Sequence, residues 1–523
     1  MNMKNTIALN ATELAKLEKD GLNVVKDIGK FSKEGFAALT AADFDRLKYV
    51  GLYIQRPKTD EKFMLRVKIP AGQLNTNQAR VLAHIAEAYG HGVFDVTNRH
   101  SIQFHWIGIE DVPAIFKALD LVQLTTLQAA GDCPRSIVAN PLDGYDPDEF
   151  LDTRGIFKQL NDFFHNNRDF SNLPRKYKIA VSGGLYNSVN AELNDVAFVP
   201  AVKTVDGNEA KGFNVLVGGG LSREPHLAKK LDIFVLPDEV LKVAAGVGSL
   251  FRDYGYREKR NHARLKFLIE DWGLGKFQAK LLKLTGPLQS AGTPVSKGWN
   301  AGRFFGFNNQ KQAGLSYLGI AVVSGRLAAS ELREIARLAD DYGDGSLRTT
   351  NSQDLIILNI PNSAAEQLEK EPFFIKQKSL WNSLNAYTGV CTGNEFCPFG
   401  LVETKTCVKK IADKLEEAVG TDIPLRVHIS GCGHSCGQPQ IADIGLQGAV
   451  YSRDGKPYSG FEVWVGGKLG DGARFGKKLL GTVGTDEISE VLADLVKSYR
   501  QEALSRETFA EYIHRATLKK ITA

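Results

Sequence analysis

Two pairs of cysteines stand late in the chain, Cys391-Thr-Gly-Asn-Glu-Phe-Cys397 and Cys432-Gly-His-Ser-Cys436. Two loops carrying two thiols each can supply the four thiolates that a 4Fe-4S cube takes from different directions. Structural zinc favours gaps of about two to four residues within a pair, and the first pair has a longer one. The radical-type C-x3-C-x2-C run is absent. The alternative is a set of unligated core thiols, since free cysteine is commonly buried, and the spacing leaves both readings open. Cys133 and Cys407 stand apart and read as small buried hydrophobes.

The rest of the 523-residue chain has to position those loops. Hydrophobic content of 43% and charged content of 24% place it among globular proteins, neither disordered nor fibrous. The stretch MNMKNTIALNATELAKLEKD has no apolar signal core, and no run of eighteen apolar residues occurs, so the expectation is a cytoplasmic protein without a membrane segment. Six cysteines are too sparse for a disulfide scaffold and fit thiols kept reduced. A net charge of +5 is too mild to argue for nucleic acid and is compatible with small anions or an acidic protein partner.

Internal repetition organises the chain. Gly72-Gln-Leu, Tyr89-Gly-His-Gly and Thr97-Asn98 return as Gly325-Arg-Leu, Tyr342-Gly-Asp-Gly and Thr350-Asn351, each 253 residues later. Phe213-x-Val-x-Val-Gly-Gly-x-Leu221 returns at Phe461 to Leu469, and Ser182-Gly183 at Ser430-Gly431, each 248 residues later. The pattern is two copies of an A-then-B module about a pseudo-two-fold axis. Module A reads strand (Phe63 to Ile69), helix (Gln78 to Tyr89), strand (Ile102 to Trp106) and helix (from Val112). Module B mixes strands such as Lys178 to Val181 and Phe213 to Val217 with helices such as Pro237 to Tyr254 and Ile488 to Tyr499. The class is α+β, or mixed α/β. Residues 1–45 read as an arm over the core, and the turn-rich residues 286–300 as the join between halves. Gly218-Gly-Gly220 and Gly466-Gly467 follow strands without the full G-x-G-x-x-G pattern, so they read as turns and no flavin or nicotinamide site is expected.

With these residues in view, the chain resembles the sirohaem-containing nitrite and sulfite reductases, in particular their ferredoxin-dependent assimilatory branch. The Cys-x5-Cys and Cys-x3-Cys pairs match, as do Glu403-Thr-Lys405, Ser435-Cys-Gly-Gln438 and Ala442-Asp-Ile-Gly445, over about residues 45 to 500. The resemblance implies duplicated ferredoxin-like half-domains (46–122 and 300–372) and duplicated reductase domains (123–285 and 373–505, the second with the cluster), followed by a tail at 506–523. It implies two cofactors, sirohaem and a 4Fe-4S cluster, with Cys391, Cys397, Cys432 and Cys436 as cluster ligands and Cys436 bridging to the sirohaem iron. Histidines 100, 105 and 434 are then hydrogen-bonding or surface residues and not iron ligands. The family usually has Cys-Pro-Asn where this chain has Cys432-Gly433-His434.

The resemblance also implies a cationic pocket for the anion: Arg99 and Arg135 to bind it, Lys176 and Lys178 to bind it and deliver protons. Arg175, Arg264 and Lys266 are candidates for the carboxylates of sirohaem. Taken alone, a Lys-Tyr-Lys run or a strand-end arginine is an ordinary solvated feature. Electrons come from a separate carrier, most simply an acidic ferredoxin. Lys176-Tyr-Lys178 follows the Lys-x-Lys of sulfite enzymes and not the Lys-x-Asn of nitrite enzymes, which favours sulfite; the Thr-Gly-Asn-Glu-Phe and Cys-Gly-Gln surroundings look nitrite-like, so nitrite, or both anions, is the alternative. A more distant alternative is an iron-sulfur electron carrier without haem. Ala130 stands where some sulfite-reducing members have a tyrosine-linked cysteine, so no such crosslink is expected.

Overall fold

The computed structural model describes residues 9–300, 304–421 and 425–522. The first eight residues of the expected arm, residues 301–303 at the start of the second half-domain and residue 523 of the tail lie outside the described residues. Among those described, no helix is long and apolar enough to cross a membrane.

The duplication is visible strand by strand. One reductase sheet contains Val138–Ala139, Ile179–Val181, Val196–Val205, Asn208–Val217 and Lys229–Val235; the other contains Thr388–Val390, Val427–Ser430, Ile444–Arg453, Lys456–Val465 and Lys477–Gly484 in the same order. The shift of 248 found in the Gly-Gly motifs carries Val196–Val205 onto Ile444–Arg453 and the helix Val240–Tyr254 onto Ile488–Glu502 without an insertion. Leu193 and Leu221 of one copy pack with their equivalents Ile441 and Leu469 of the other, forming an apolar seam.

The half-domains exchange an edge. Arg326–Ala328 of the second copy pairs with Val93–Asp95 of the first, while Gln73–Asn75 of the first pairs with Ser346–Arg348 of the second. Both halves therefore share one core, running from Leu22 to Leu124 and from Leu318 to Phe374. Helices Thr76–Tyr89 and Ala329–Tyr342 lie across these sheets. The first is closed by a reciprocal cap in which Gln78 N donates to Asn75 Oδ1 and Asn75 N to Gln78 Oε1. Helices of the N-terminal segment are tied down by buried charge. Lys16 Nζ lies 2.5 Å from Glu13 and donates to Leu173 O at 2.8 Å, and Arg257 holds Glu13 at 2.7 Å.

A second matched pair clamps the modules together. Gln353 Nε2 donates to Val96 O at 2.9 Å and Val390 O at 3.0 Å, while its Oε1 accepts from Val390 N. At the equivalent position, His100 faces Thr349 O from Nδ1 at 2.8 Å and Ala139 O from Nε2 at 3.1 Å. Both residues have positive φ, and glycine at 72 and 325 leaves them room: a Cβ there would lie 2.9 Å from the His100 ring and 2.5 Å from the Gln353 amide. An amide nitrogen carries two hydrogens, but a neutral imidazole carries one N–H in all. Burial pushes the His100 pKa down to about 4, with the two carbonyls working upward, so near neutrality one of its two contacts lacks a hydrogen.

His100→Gln is therefore expected to fold, with a Tm at pH 7 no lower than that of the unsubstituted protein. As pH falls from about 6.5 toward 4, the unfolded chain protonates His100 before the folded one, so the native protein loses up to about 3 kcal/mol that the variant keeps. Thermal melts across that range test this; a variant melting well below wild type at pH 7 would refute the matched-clamp reading.

Candidate active site

The two cysteine pairs meet because the strands feeding them are parallel neighbours. Thr388–Val390 pairs with Val427–Ser430, and each ends directly in a cysteine loop, a position that suits ligands in open α/β sheets. Cys391 N donates to Ile429 O at 3.2 Å, tying one loop to the other's strand. The loops press close: Gly393 has φ +68, and a Cβ on Gly431 of the other loop would sit 3.0 Å from the Gly393 Cα. Gly431 N and Gly393 N point at Cys391 Sγ at 3.1 and 3.4 Å. Asn98, from the repeated Thr-Asn motif, donates to Cys436 O at 2.7 Å and fixes the last cysteine.

None of the cysteines is in a disulfide. Burial raises the thiol pKa of Cys391 to about 12 and of Cys432 to about 11, and it raises Cys397; the neighbouring Cys436 sulfur adds to each. The four sulfurs thus share one field, yet no three Cys, His, Asp or Glu of the described residues converge as ligands of a single ion. Four thiols in one shared field fit the donor set of a 4Fe-4S cube, and loading it would release the protons they hold.

Cations face this loop from the other reductase copy. In Lys176-Tyr177-Lys178, alternation buries Tyr177, whose hydroxyl donates to Ala244 O at 2.8 Å, and turns both lysines to the opposite side. Arg135 N donates to Tyr177 O at 2.9 Å, which sets Arg135 beside them. Burial lowers the Lys176 pKa to about 7, aided by Arg264, Arg175 and Arg135 and opposed by the Cys436 sulfur. Burial also pushes Lys178 well below the ordinary lysine range, reinforced by Arg99, Lys176 and Arg264. Beside them the buried Arg99 Nε has no hydrogen-bond partner. Such a concentration of unneutralised charge fits an anion and a carboxylate-rich macrocycle.

The expected cations also hydrogen-bond within the protein: Arg135 donates through Nε and Nη2 to Ala129 O at 3.1 and 2.7 Å. The Arg99 guanidinium is held by Asn194 Oδ1 at 2.8 Å and Ser136 O at 2.7 Å. Arg264 grips the buried Asp195 through Nε at 3.2 Å and Nη2 at 2.9 Å. Arg175 reaches Asp132 at 3.4 Å, and Lys266 donates to the carbonyls of Leu221 and Glu224. A residue that sequence reasoning missed is Arg66. It occupies a polar position in Phe63–Val67, where the alternate residues are buried, and it lies over the Tyr53 ring at 5.7 Å with Gln103 Oε1 accepting from it. Burial lowers its pKa to about 10, aided by Arg135 and opposed by Tyr53 and the Cys436 sulfur. The sequence signal was a charged residue in an otherwise regular strand, which by itself reads as solvent-facing.

Behind the first cysteine loop lies a buried ion network. Asp95 accepts from Arg326 Nε at 2.9 Å and His105 Nε2 at 3.2 Å, and lies 3.3 Å from Lys405 Nζ. Although burial would raise it, these partners, Lys405 foremost, hold its carboxyl far below the usual range. The His105 ring stacks on Phe396 at 3.9 Å, next to Cys397. Lys405 also donates to Ser324 O at 2.7 Å. One carboxylate thus joins both half-domains to the helix and loop that carry the thiols.

Comparisons with known proteins agree with this geometry. The family model described as the nitrite and sulphite reductase 4Fe-4S domain matches residues 130–287 and 386–523, and the nitrite/sulfite reductase ferredoxin-like half domain matches 55–122 and 308–372. A ferredoxin–nitrite reductase of Synechococcus elongatus is 38% identical over 94% of this chain and 96% of its own. A sulfite reductase [ferredoxin] of Mycolicibacterium paratuberculosis is 36% identical over 97% and 95%. The solved structure of the Mycobacterium tuberculosis NirA protein superposes with a TM-score of 0.90 at 34% identity, covering 97% of this chain and 96% of that one.

Asp95→Asn is expected to cost about 3–5 kcal/mol, because it leaves the buried Lys405 without its counter-charge. A lower Tm and iron lost from the protein on gel filtration would show it. Unchanged melting and iron content would mean that the network does not hold the loop.

Proposed function

Since the chain belongs to the nitrite and sulphite reductase family, ferredoxin-dependent oxidoreductases that carry sirohaem and a 4Fe-4S cluster, we propose that it reduces sulfite to sulfide by six electrons. The observation carrying the choice of anion is Lys178. Its equivalent 248 residues on is Arg426, whose guanidinium is bound to Asp443 at 2.7 and 2.8 Å. Asp195, the equivalent acid, is taken by Arg264, which leaves the Lys178 ammonium for a ligand. A second ammonium beside Lys176 suits a dianion with three oxygens better than a monoanion with two. Nitrite, reduced to ammonia, is the second reading, favoured by relatives such as that of S. elongatus, named for it.

Cys391, Cys397 and Cys432 would hold the cluster, and Cys436 would join it to the sirohaem. When bound, the coupled pair would supply electrons one at a time to the anion held in the pocket. The residues of the chain do the rest. Arg66 and Arg135 hold the oxyanion and keep their charge. Lys176, with its pKa near 7, binds the anion when protonated and can pass that proton to an oxygen that is leaving as water. Lys178 adds charge at the same opening, and Arg99 orders the backbone around Ser136 that shapes it. Electrons would arrive from a reduced ferredoxin, and the undisulfided cysteines suit the cytoplasm.

Turnover with reduced ferredoxin, sulfite against nitrite, tests the choice. Lys178→Asn is expected to lower kcat/KM for sulfite about tenfold more than for nitrite, the loss of one charged contact, ~1.4 kcal/mol; equal losses would remove the reason for preferring sulfite. Cys436→Ser is expected to abolish turnover and alter both chromophores in the absorption spectrum. A spectrum and rate left untouched would overturn the assignment of the bridging sulfur.

A further inference from the structure

His434 lies inside the second cysteine pair, in Cys432-Gly433-His434-Ser435-Cys436. Its Nδ1 is 3.5 Å from Cys432 Sγ, and the backbone N–H of the same residue also points at that sulfur. The ring is exposed and is set by an edge-on contact with Phe399, centroids 5.1 Å apart and planes at 83°. Phe399 is itself 65% exposed, and its backbone N–H points at Cys397. Two aromatic rings at the surface are thus each one residue's width from a different thiol. Arg223 reaches the same loop: a Cβ on Gly433 would touch its side chain at 3.5 Å.

We propose that His434 is a positioning residue that sets the redox potential of the cluster. Its Nδ1–H and its backbone N–H both hydrogen-bond the Cys432 sulfur on the side that faces solvent. Adding an electron to the cluster places more negative charge on its sulfurs, and N–H donors stabilise that charge and raise the potential. The cluster then accepts an electron from a weaker donor than it would without the ring. Edge contact with Phe399 keeps Nδ1 turned to sulfur and leaves Nε2 to water. The inference rests on reading Cys432 as a cluster ligand.

The test is a redox titration of the holoprotein at one fixed pH, followed by the EPR signal of the reduced cluster, with iron and acid-labile sulfide measured on the same samples. His434→Phe, which can pack on Phe399 but donates nothing from its ring, is expected to shift the one-electron equilibrium about tenfold toward the oxidised cluster, ~59 mV more negative. His434→Asn, which keeps a side-chain N–H, should recover most of that shift. A full cluster with an unchanged potential in His434→Phe would overturn the proposal. Should that variant hold no cluster, His434→Ala decides: a loaded cluster with a lowered potential supports the proposal, while an unchanged potential or a second empty protein overturns it, because a residue that only tunes the cluster is not needed to build it. Absence of iron and sulfide from the unsubstituted protein would instead sink the functional reading itself.

Discussion

Two short parallel strands, Thr388–Val390 and Val427–Ser430, end side by side, and the functional arrangement depends on that pairing. Parallel strands deliver their loops to the same edge of the sheet, so thiols about forty residues apart in sequence reach one place without any bond between them. The spacing within each pair needs no regularity beyond reaching the corners of a cube. That tolerance explains why the first pair can exceed the spacing of a structural zinc site. The loops are held from outside by Asp95, His105, Arg326 and Lys405, which sit where the half-domains meet the reductase sheet.

Duplication gives each reductase copy the same frame, and the chemistry comes from where the copies differ. Cys391 and Cys432 follow the parallel pair in the second copy; Arg135, Lys176 and Lys178 precede the parallel pair in the first. Strand ends of one kind therefore carry thiols and strand ends of the other carry cations, and the Cys436 sulfur is felt by both, by Cys391 and by Lys176. The equivalent acids Asp195 and Asp443 make the same backbone contact, accepting from Lys178 N and Arg426 N at 2.8 and 2.9 Å. Only the cation paired with each differs. Arg426 neutralises its own acid; Lys178 does not, because Arg264 arrives from the start of a helix to do so. A frame built twice can release a buried ammonium at one of its two equivalent positions and keep the core satisfied at both.

Much of the fold was legible in the sequence, for a physical reason. Gly-Gly turns and Tyr-Gly-x-Gly helix ends are backbone requirements that side-chain divergence does not erase, so the two shifts survived and mark strands and helices in register. The chain's duplicated α+β architecture follows from them. The four cysteines stood out too, since few residue types can ligate a cluster, and the parallel strands bring their two loops side by side. What escaped were the residues whose meaning depends on a partner far away in sequence. Arg66 has the alternation of an ordinary strand, and only the packing of that strand against the reductase domain points it toward Arg135 and Cys436. Lys266, expected at the macrocycle, donates to the carbonyls of Leu221 and Glu224. Arg99 was expected at the anion, and its guanidinium is engaged by Asn194 and Ser136.

Burial ties these observations to one another. The cations of the pocket are kept at high energy by desolvation and by one another, which is why the pKa values of Lys176, Arg66 and Arg99 fall together. A pocket in that condition gains most from a ligand bearing negative charge, and it gains again each time an electron arrives. The thiols are pushed the other way, upward, by the same exclusion of water. Iron relieves one set and an anion the other. The fold therefore holds thiols raised and cations lowered by the same exclusion of water, with the Cys436 sulfur coupled to both sets.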